Sequence, residues 1–196
     1  MFTRLSCRIT DKLEHNGTIS KSDRALYEYG LRQMFTTLLN IFTMLLIGFV
    51  MKMIIPAILY TFAYIPIRVY AGGYHASTPK RCWVFSAVML FVVLGLLKCV
   101  ILRYSHHLIV LSLISCVVII ILSPVADMNK PLDETEYQIY RLRAIVILII
   151  EMLIARFMWI INFRIEVMVL ELVWCSLAFM LVLGKLKNRN KEDVDE

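Results

Sequence analysis

The chain has 196 residues, 60% of them apolar and 18% charged, with a mean hydropathy of +0.73. Soluble domains carry about 25% charged residues and fewer apolar ones, so a disordered or collagen-like chain is excluded and an ordinary water-soluble globule is disfavoured. The net charge of +6 would suggest nucleic acid on a soluble protein. On a membrane protein it reflects loops facing the cytoplasm and anionic lipid, and that is the reading adopted, with lipid and not nucleic acid as the partner.

Phe2, Leu5, Ile9 and Leu13 recur at helical spacing, with Arg4, Arg8, Asp11, Lys12 and Glu14 between them. This predicts an amphipathic helix able to lie on a membrane surface, although a solvated helix fits the same pattern. Asn16-Gly17 breaks it. Ser20 with Asp23 three residues on resembles a capping signal for a second helix running through Tyr27 and Leu31 into the first span. The first 30 residues hold no apolar stretch of the kind found in a cleavable signal peptide.

Six apolar runs follow, at residues 33–51, 53–67, 83–102, 108–125, 144–161 and 167–183. A bilayer crossing needs about 20 apolar residues. The second run is short and contains Pro56 and Pro66, and the fifth carries Glu151 and Arg156, so these two are the weaker candidates. Charge arbitrates between them. With six spans and both termini in the cytoplasm, only Lys52, Lys98, Arg103, Arg156 and Arg164 of the 21 basic residues fall on the outer side. That agrees with the positive-inside bias. The expected fold is therefore all-α: a polytopic integral membrane protein of six transmembrane helices preceded by an amphipathic helix. The chain divides into a cytoplasmic region 1–30, a transmembrane domain 31–184, and a cytoplasmic tail 185–196 without regular structure.

The long polar connections, 68–82 and 127–143, both fall on the cytoplasmic side in this topology. No P-loop, HExxH, GxSxG or paired metal-ligand spacing occurs, so neither nucleotide nor metal is expected. Cys99, Cys116 and Cys175 sit inside apolar runs as small hydrophobes, and Cys7 has no evident role. Cys82 differs. Ser77 or Thr78 can cap a helix with Pro79 as its first residue, which puts Cys82 near the start of the third span. A helix N-terminus stabilises a thiolate, and Lys80 and Arg81 add positive charge. His75, seven residues earlier, could take the thiol proton and leave a nucleophile. A histidine and a cysteine close together in a polar loop also occur without catalysis. Arg68 could bind a substrate carboxylate, steady the loop, or simply anchor a membrane boundary. Asp127, Asp133, Glu134 and Glu136 could orient the histidine or be solvated loop charges. His106 and His107 belong across the membrane from Cys82 and fit an interfacial position. Glu151 and Arg156 are costly in a span unless paired with each other or with Glu171.

The arrangement of Arg68, six residues, His75-Ala76, six residues and Cys82, with Asn129-Lys130-Pro131-Leu132 after the fourth span, resembles the accessory gene regulator B (AgrB) family. The resemblance covers almost the whole chain. It implies a membrane cysteine endopeptidase of bacterial quorum sensing that cuts a short precursor peptide near its C-terminal side. Cys82 matches the family nucleophile and His75 its general base. A thioester on Cys82 would then be attacked by a cysteine or serine of the peptide, closing a thiolactone or lactone ring. Thioester exchange is nearly isoenergetic and needs no nucleotide. The family's precursors have an acidic end, which Lys80, Arg81, Lys130, Arg141 and Arg143 would suit. The resemblance also implies a homodimer and a location in the bacterial cell membrane with the active site at the cytoplasmic face. A second reading is a non-enzymatic six-span peptide transporter or export component using Glu151, Arg156 and Glu171 as a polar path, and a third is a membrane-bound scaffold.

Overall fold

The computed structural model describes residues 2–74, 78–100, 106–126 and 132–195. They form seven helices: α1 (Thr3–His15), α2 (Arg24–Val50), α3 (Ile54–Ala71), α4 (Pro79–Val100), α5 (His106–Leu122), α6 (Glu134–Ile160) and α7 (Arg164–Asp195). Among the described residues there is no strand, only an isolated bridge between Gly72 and Val125. The all-α expectation agrees with this architecture.

Among the described residues, four helices, α2, α3, α4 and α7, are long and apolar enough to cross a bilayer. α5 is wholly apolar after its two histidines but has only 17 residues. α6 has 27 residues, yet Arg141, Arg143, Glu151 and Arg156 interrupt its apolar surface. α3, a weak candidate by sequence, reaches 18 residues because the helix runs through Pro66 to Ala71. α3, α4 and α6 extend past their apolar runs toward the long polar connections, so Arg68 lies in the last turn of α3 and not in a loop. The tail after Gly184 is helical to Asp195 rather than irregular, since no proline interrupts the lysines, asparagines and acids that follow.

α7 occupies the centre. Its residues Val167 to Trp174 are all buried, as a helix that is apolar on every side requires. α3, α4, α5 and α6 all pack on it, α2 packs on α3 and α4, and α1 packs on α2. Large apolar side chains such as Phe49, Phe62, Phe91, Ile121, Leu153 and Phe157 are exposed on the outer helices. A water-soluble bundle would not present so continuous an apolar girdle, whereas lipid accepts it.

α1 docks through Ser6 and Thr10, both fully buried, while Leu5 of the expected apolar stripe faces outward. Both hydroxyls bond back to backbone carbonyls of their own helix, Thr10 to Ser6 O at 2.9 Å and Ser6 to Phe2 O at 3.0 Å. Arg24 at the start of α2 then clasps Asp11 and Glu14 of α1 at 2.5 and 2.7 Å. The Ser20–Asp23 signal forms a turn ahead of α2, with Ser20 Oγ donating to Asp23 at 2.7 Å, and not a side-chain cap.

Glu151 and Arg156 do not pair. Glu151 is buried and accepts a hydrogen bond from Trp174 Nε1 of α7 at 2.9 Å, whereas Arg156 is exposed. Five residues apart on a helix, the two do not share a face.

Candidate active site

The C-terminal ends of α3, α5 and α7 and the N-terminal ends of α4 and α6 come together at one end of the bundle. The segment after α3 is clamped there. Gly73 N donates to Val125 O at 3.1 Å, Val125 N to Ala71 O at 2.9 Å, and Tyr74 N to Met180 O of α7 at 2.8 Å. The first two bonds tie the two long polar connections together. Asn188 of α7 adds a third tie by donating to Ala126 O at 3.0 Å. Across the same end, Arg143 lies over the Tyr70 ring, 5.3 Å from its centroid. Gly73 adopts φ +114°, and a Cβ there would meet Arg68 Nη1 at 2.5 Å and Met180 O at 2.9 Å. Gly184 supplies the other half of the fit, because a Cβ on it would approach Tyr74 N to 2.6 Å. Neither approach tolerates a side chain.

Arg68 reads this clamped segment directly. Its Nη2 donates to Tyr74 O, so one half of the guanidinium steadies the chain entering the His75 loop. The other half, Nη1, is buried and finds no hydrogen-bond partner among the described residues.

Helix α4 begins as its sequence predicts. Thr78 Oγ1 accepts from Arg81 N at 3.3 Å, Pro79 is the first helical residue, and Cys82 N donates to Thr78 O at 3.0 Å. Thr78 makes the described capping contact, and Ser77 lies outside the described residues. Cys82 therefore lies one turn into the helix and is half-buried, with its own amide already used by Thr78. Lys80 and Arg81 are exposed on that first turn.

Cys82 and Arg68 line the same cavity of about 470 Å³, together with Asn40 of α2, Tyr64 of α3, Tyr74 and Ser86. Two further polar groups on its wall have no hydrogen-bond partner among the described residues: Asn40 Oδ1 and the Tyr64 hydroxyl. Buried polar atoms are almost always paired. Three exceptions on one wall, beside Cys82, describe a space shaped for a polar ligand. Tyr74 partly closes the cavity, its ring 5.6 Å from that of Phe85 and 5.2 Å from Lys187 Nζ.

His75 and Lys130 lie outside the described residues, as does Asp127. Of the remaining acidic candidates, Asp133 is engaged as the cap of α6, accepting from Glu136 N at 2.6 Å. Sequence reasoning missed Asn40 and Tyr64. Asn40 is a lone amide in an apolar run, and Tyr64 precedes Arg68 by four residues, one helical turn on the same face; both signals were present.

The fold and the site together define a helical membrane protein with a cysteine-bearing polar cavity at the end of the bundle where its longest connections meet. The family model of accessory gene regulator B matches residues 6–183, and the chain belongs to that family. Membership gives it a role in accessory gene regulator peptide processing, and so in quorum sensing, with a peptide precursor as its partner. No curated protein and no solved structure matches it significantly.

Proposed function

We propose that the chain is a membrane-embedded cysteine endopeptidase that cleaves a quorum-sensing precursor peptide through a thioester on Cys82 and promotes its cyclisation. The observation that carries this reading is the placement of Cys82, at the start of α4, on the wall of a cavity with unpartnered polar groups. Cys82 Sγ adds to the peptide carbonyl, and His75 serves as the base that takes its proton. The amine of the C-terminal fragment leaves with that proton. A thiol or hydroxyl within the N-terminal fragment then displaces Cys82 and closes the ring. The cavity walls limit water, which favours ring closure over hydrolysis. Arg68 positions the loop through Tyr74, and Lys80, Arg81 and Lys130 attract the acidic end of the peptide.

The membrane arrangement proposed with this function has six spans, with α5 and α6 joining the four long apolar helices. Both termini and the cavity then face the cytoplasm. α5 covers about 26 Å at 1.5 Å per residue, close to the hydrocarbon thickness of about 30 Å. The transporter reading gains no support from the polar residues it needs, since Trp174 engages Glu151 while Arg156 faces outward.

Mass spectrometry of a co-expressed precursor tests the proposal. Wild-type protein should yield the cut peptide, its ring, and an adduct on Cys82. Cys82→Ala should assemble in the membrane and yield none of these. Normal processing by Cys82→Ala would end the cysteine mechanism.

A further inference from the structure

Tyr64 is the most deeply buried polar side chain on the cavity wall, at 6% exposure, and its hydroxyl finds no hydrogen-bond partner among the described residues. It stacks on Tyr60, with ring centroids 5.3 Å apart, so its ring is held on α3 facing the cavity. It shares the cavity wall with Arg68 and Cys82. Arg68, whose buried Nη1 is also without a partner among the described residues, lines the same space. Burying a hydroxyl without a partner costs stability, and nothing in the packing of α3 requires it, because phenylalanine would fill the same volume. Two residues with unpartnered donors beside one nucleophile on a cavity wall are what an acyl-transfer site needs where negative charge develops.

We propose that the Tyr64 hydroxyl and Arg68 Nη1 together form the oxyanion-binding pair of the acyl-transfer reaction. The inference rests on the cysteine mechanism proposed above. As Cys82 Sγ bonds to the carbonyl carbon, the C=O π pair moves onto oxygen. That oxygen accepts hydrogen bonds from Tyr64 O–H and Arg68 Nη1–H, and neither donor gives up its proton. Collapse restores C=O and breaks the C–N bond, and the departing amine carries away the proton that the thiol released. The same pair serves again when the peptide's own thiol or hydroxyl attacks the thioester. Tyr64 is thus a catalytic residue, and Arg68 adds a contact with the reacting atoms to its hold on Tyr74.

Single-turnover kinetics with purified protein in detergent and a synthetic precursor test this. Tyr64→Phe should slow acylation of Cys82 about 100-fold, the usual scale for one oxyanion donor. The KM should change less than about twofold, and the thermal midpoint should be unchanged or raised. A peptide aldehyde, whose hemithioacetal oxygen takes the oxyanion position, should bind Tyr64→Phe more weakly by a similar factor, while the uncleaved amide binds both proteins alike. Tyr60→Phe, which removes a neighbouring buried hydroxyl outside the cavity wall, should turn over like wild type. Wild-type turnover and aldehyde affinity in Tyr64→Phe, with Cys82→Ala inactive, would overturn the role of Tyr64 alone. Cleavage by Cys82→Ala would overturn it together with the cysteine mechanism. Should Tyr64→Phe fail to assemble, 3-fluorotyrosine at position 64 preserves the ring and hydroxyl. A rate identical to that of the unmodified protein, despite the altered donor strength, would then count against the role.

Discussion

At the scale of single residues, the site depends on atoms that are missing. Gly73 has no Cβ, and in that space Arg68 Nη1 and the Met180 carbonyl approach the backbone. Gly73→Ala is expected to abolish at least nine-tenths of precursor cleavage. It should also destabilise the protein by about 1–3 kcal/mol, since it adds a left-handed-region penalty to a steric one. Activity and thermal midpoint measured on the same preparation check this. A fully active Gly73→Ala protein would show that the clamp does not set the position of Arg68. Arg68 itself illustrates divided labour within one side chain. Half the guanidinium is committed to Tyr74 and half faces the cavity. Lysine retains the charge without the planar fork and does not reproduce both.

At the scale of elements, the seam between α1 and α2 carries a titratable group with a defined sign. The Glu28 carboxylate beside Cys7, helped by partial burial and the nearby Asp11 charge, raises the thiol above its ordinary 9.0. A raised value means that the folded seam favours the protonated thiol. The contribution is complete below the ordinary thiol range and is lost as pH rises through the raised value. Iodoacetamide at pH 8 should therefore modify Cys7 more slowly than a model peptide thiol, and Glu28→Gln should speed it several-fold. Equal rates in the two proteins would remove Glu28 as the cause.

What the sequence revealed of these elements follows the strength of the local signal. Thr78 and Pro79 announce the start of α4 because capping and fixed φ act within one turn, and Cys82 falls where they put it. The apolar runs locate the helices, but not their ends. α3 continues through Pro66 to Ala71 because α7 packing and the Val125 bond hold its last turn. Arg68 was legible as a residue of interest, while its bond to Tyr74 was not, since that bond depends on a turn no periodicity describes. Tyr64 and Asn40 passed as span residues because burial without a partner is a property of three dimensions. Ser6 and Thr10 reverse the simple reading of α1. Hydroxyls that bond to their own helix pack closely against a neighbour, so Ser6 and Thr10 dock beside Phe2, whose ring meets Phe35 of α2.

At the scale of the molecule, charge and connectivity agree on one end. The Gly72–Val125 bridge joins the two long polar connections, and Lys80, Arg81, Arg141, Arg143 and Lys187 surround them. The six-span arrangement predicts that single cysteines placed at residues 2 and 189 in a cysteine-free background are shielded from an impermeant maleimide in intact cells. A cysteine at residue 162, in the turn between α6 and α7, should be labelled. Labelling at position 2 or 189, or protection at 162, would reverse or discard the topology.

The central position of α7 also sets a schedule. It follows every other helix in the chain, yet α3, α4, α5 and α6 all pack against it. During synthesis the earlier helices, which also pack on one another, enter the membrane before the helix at the centre of their core. Met180 and Gly184, which grip the Tyr74 segment, leave the ribosome after everything they organise. A nascent chain stalled before α7 has its cysteine and its arginine in place but no wall to set them against. The cavity wall is therefore completed only when α7 arrives.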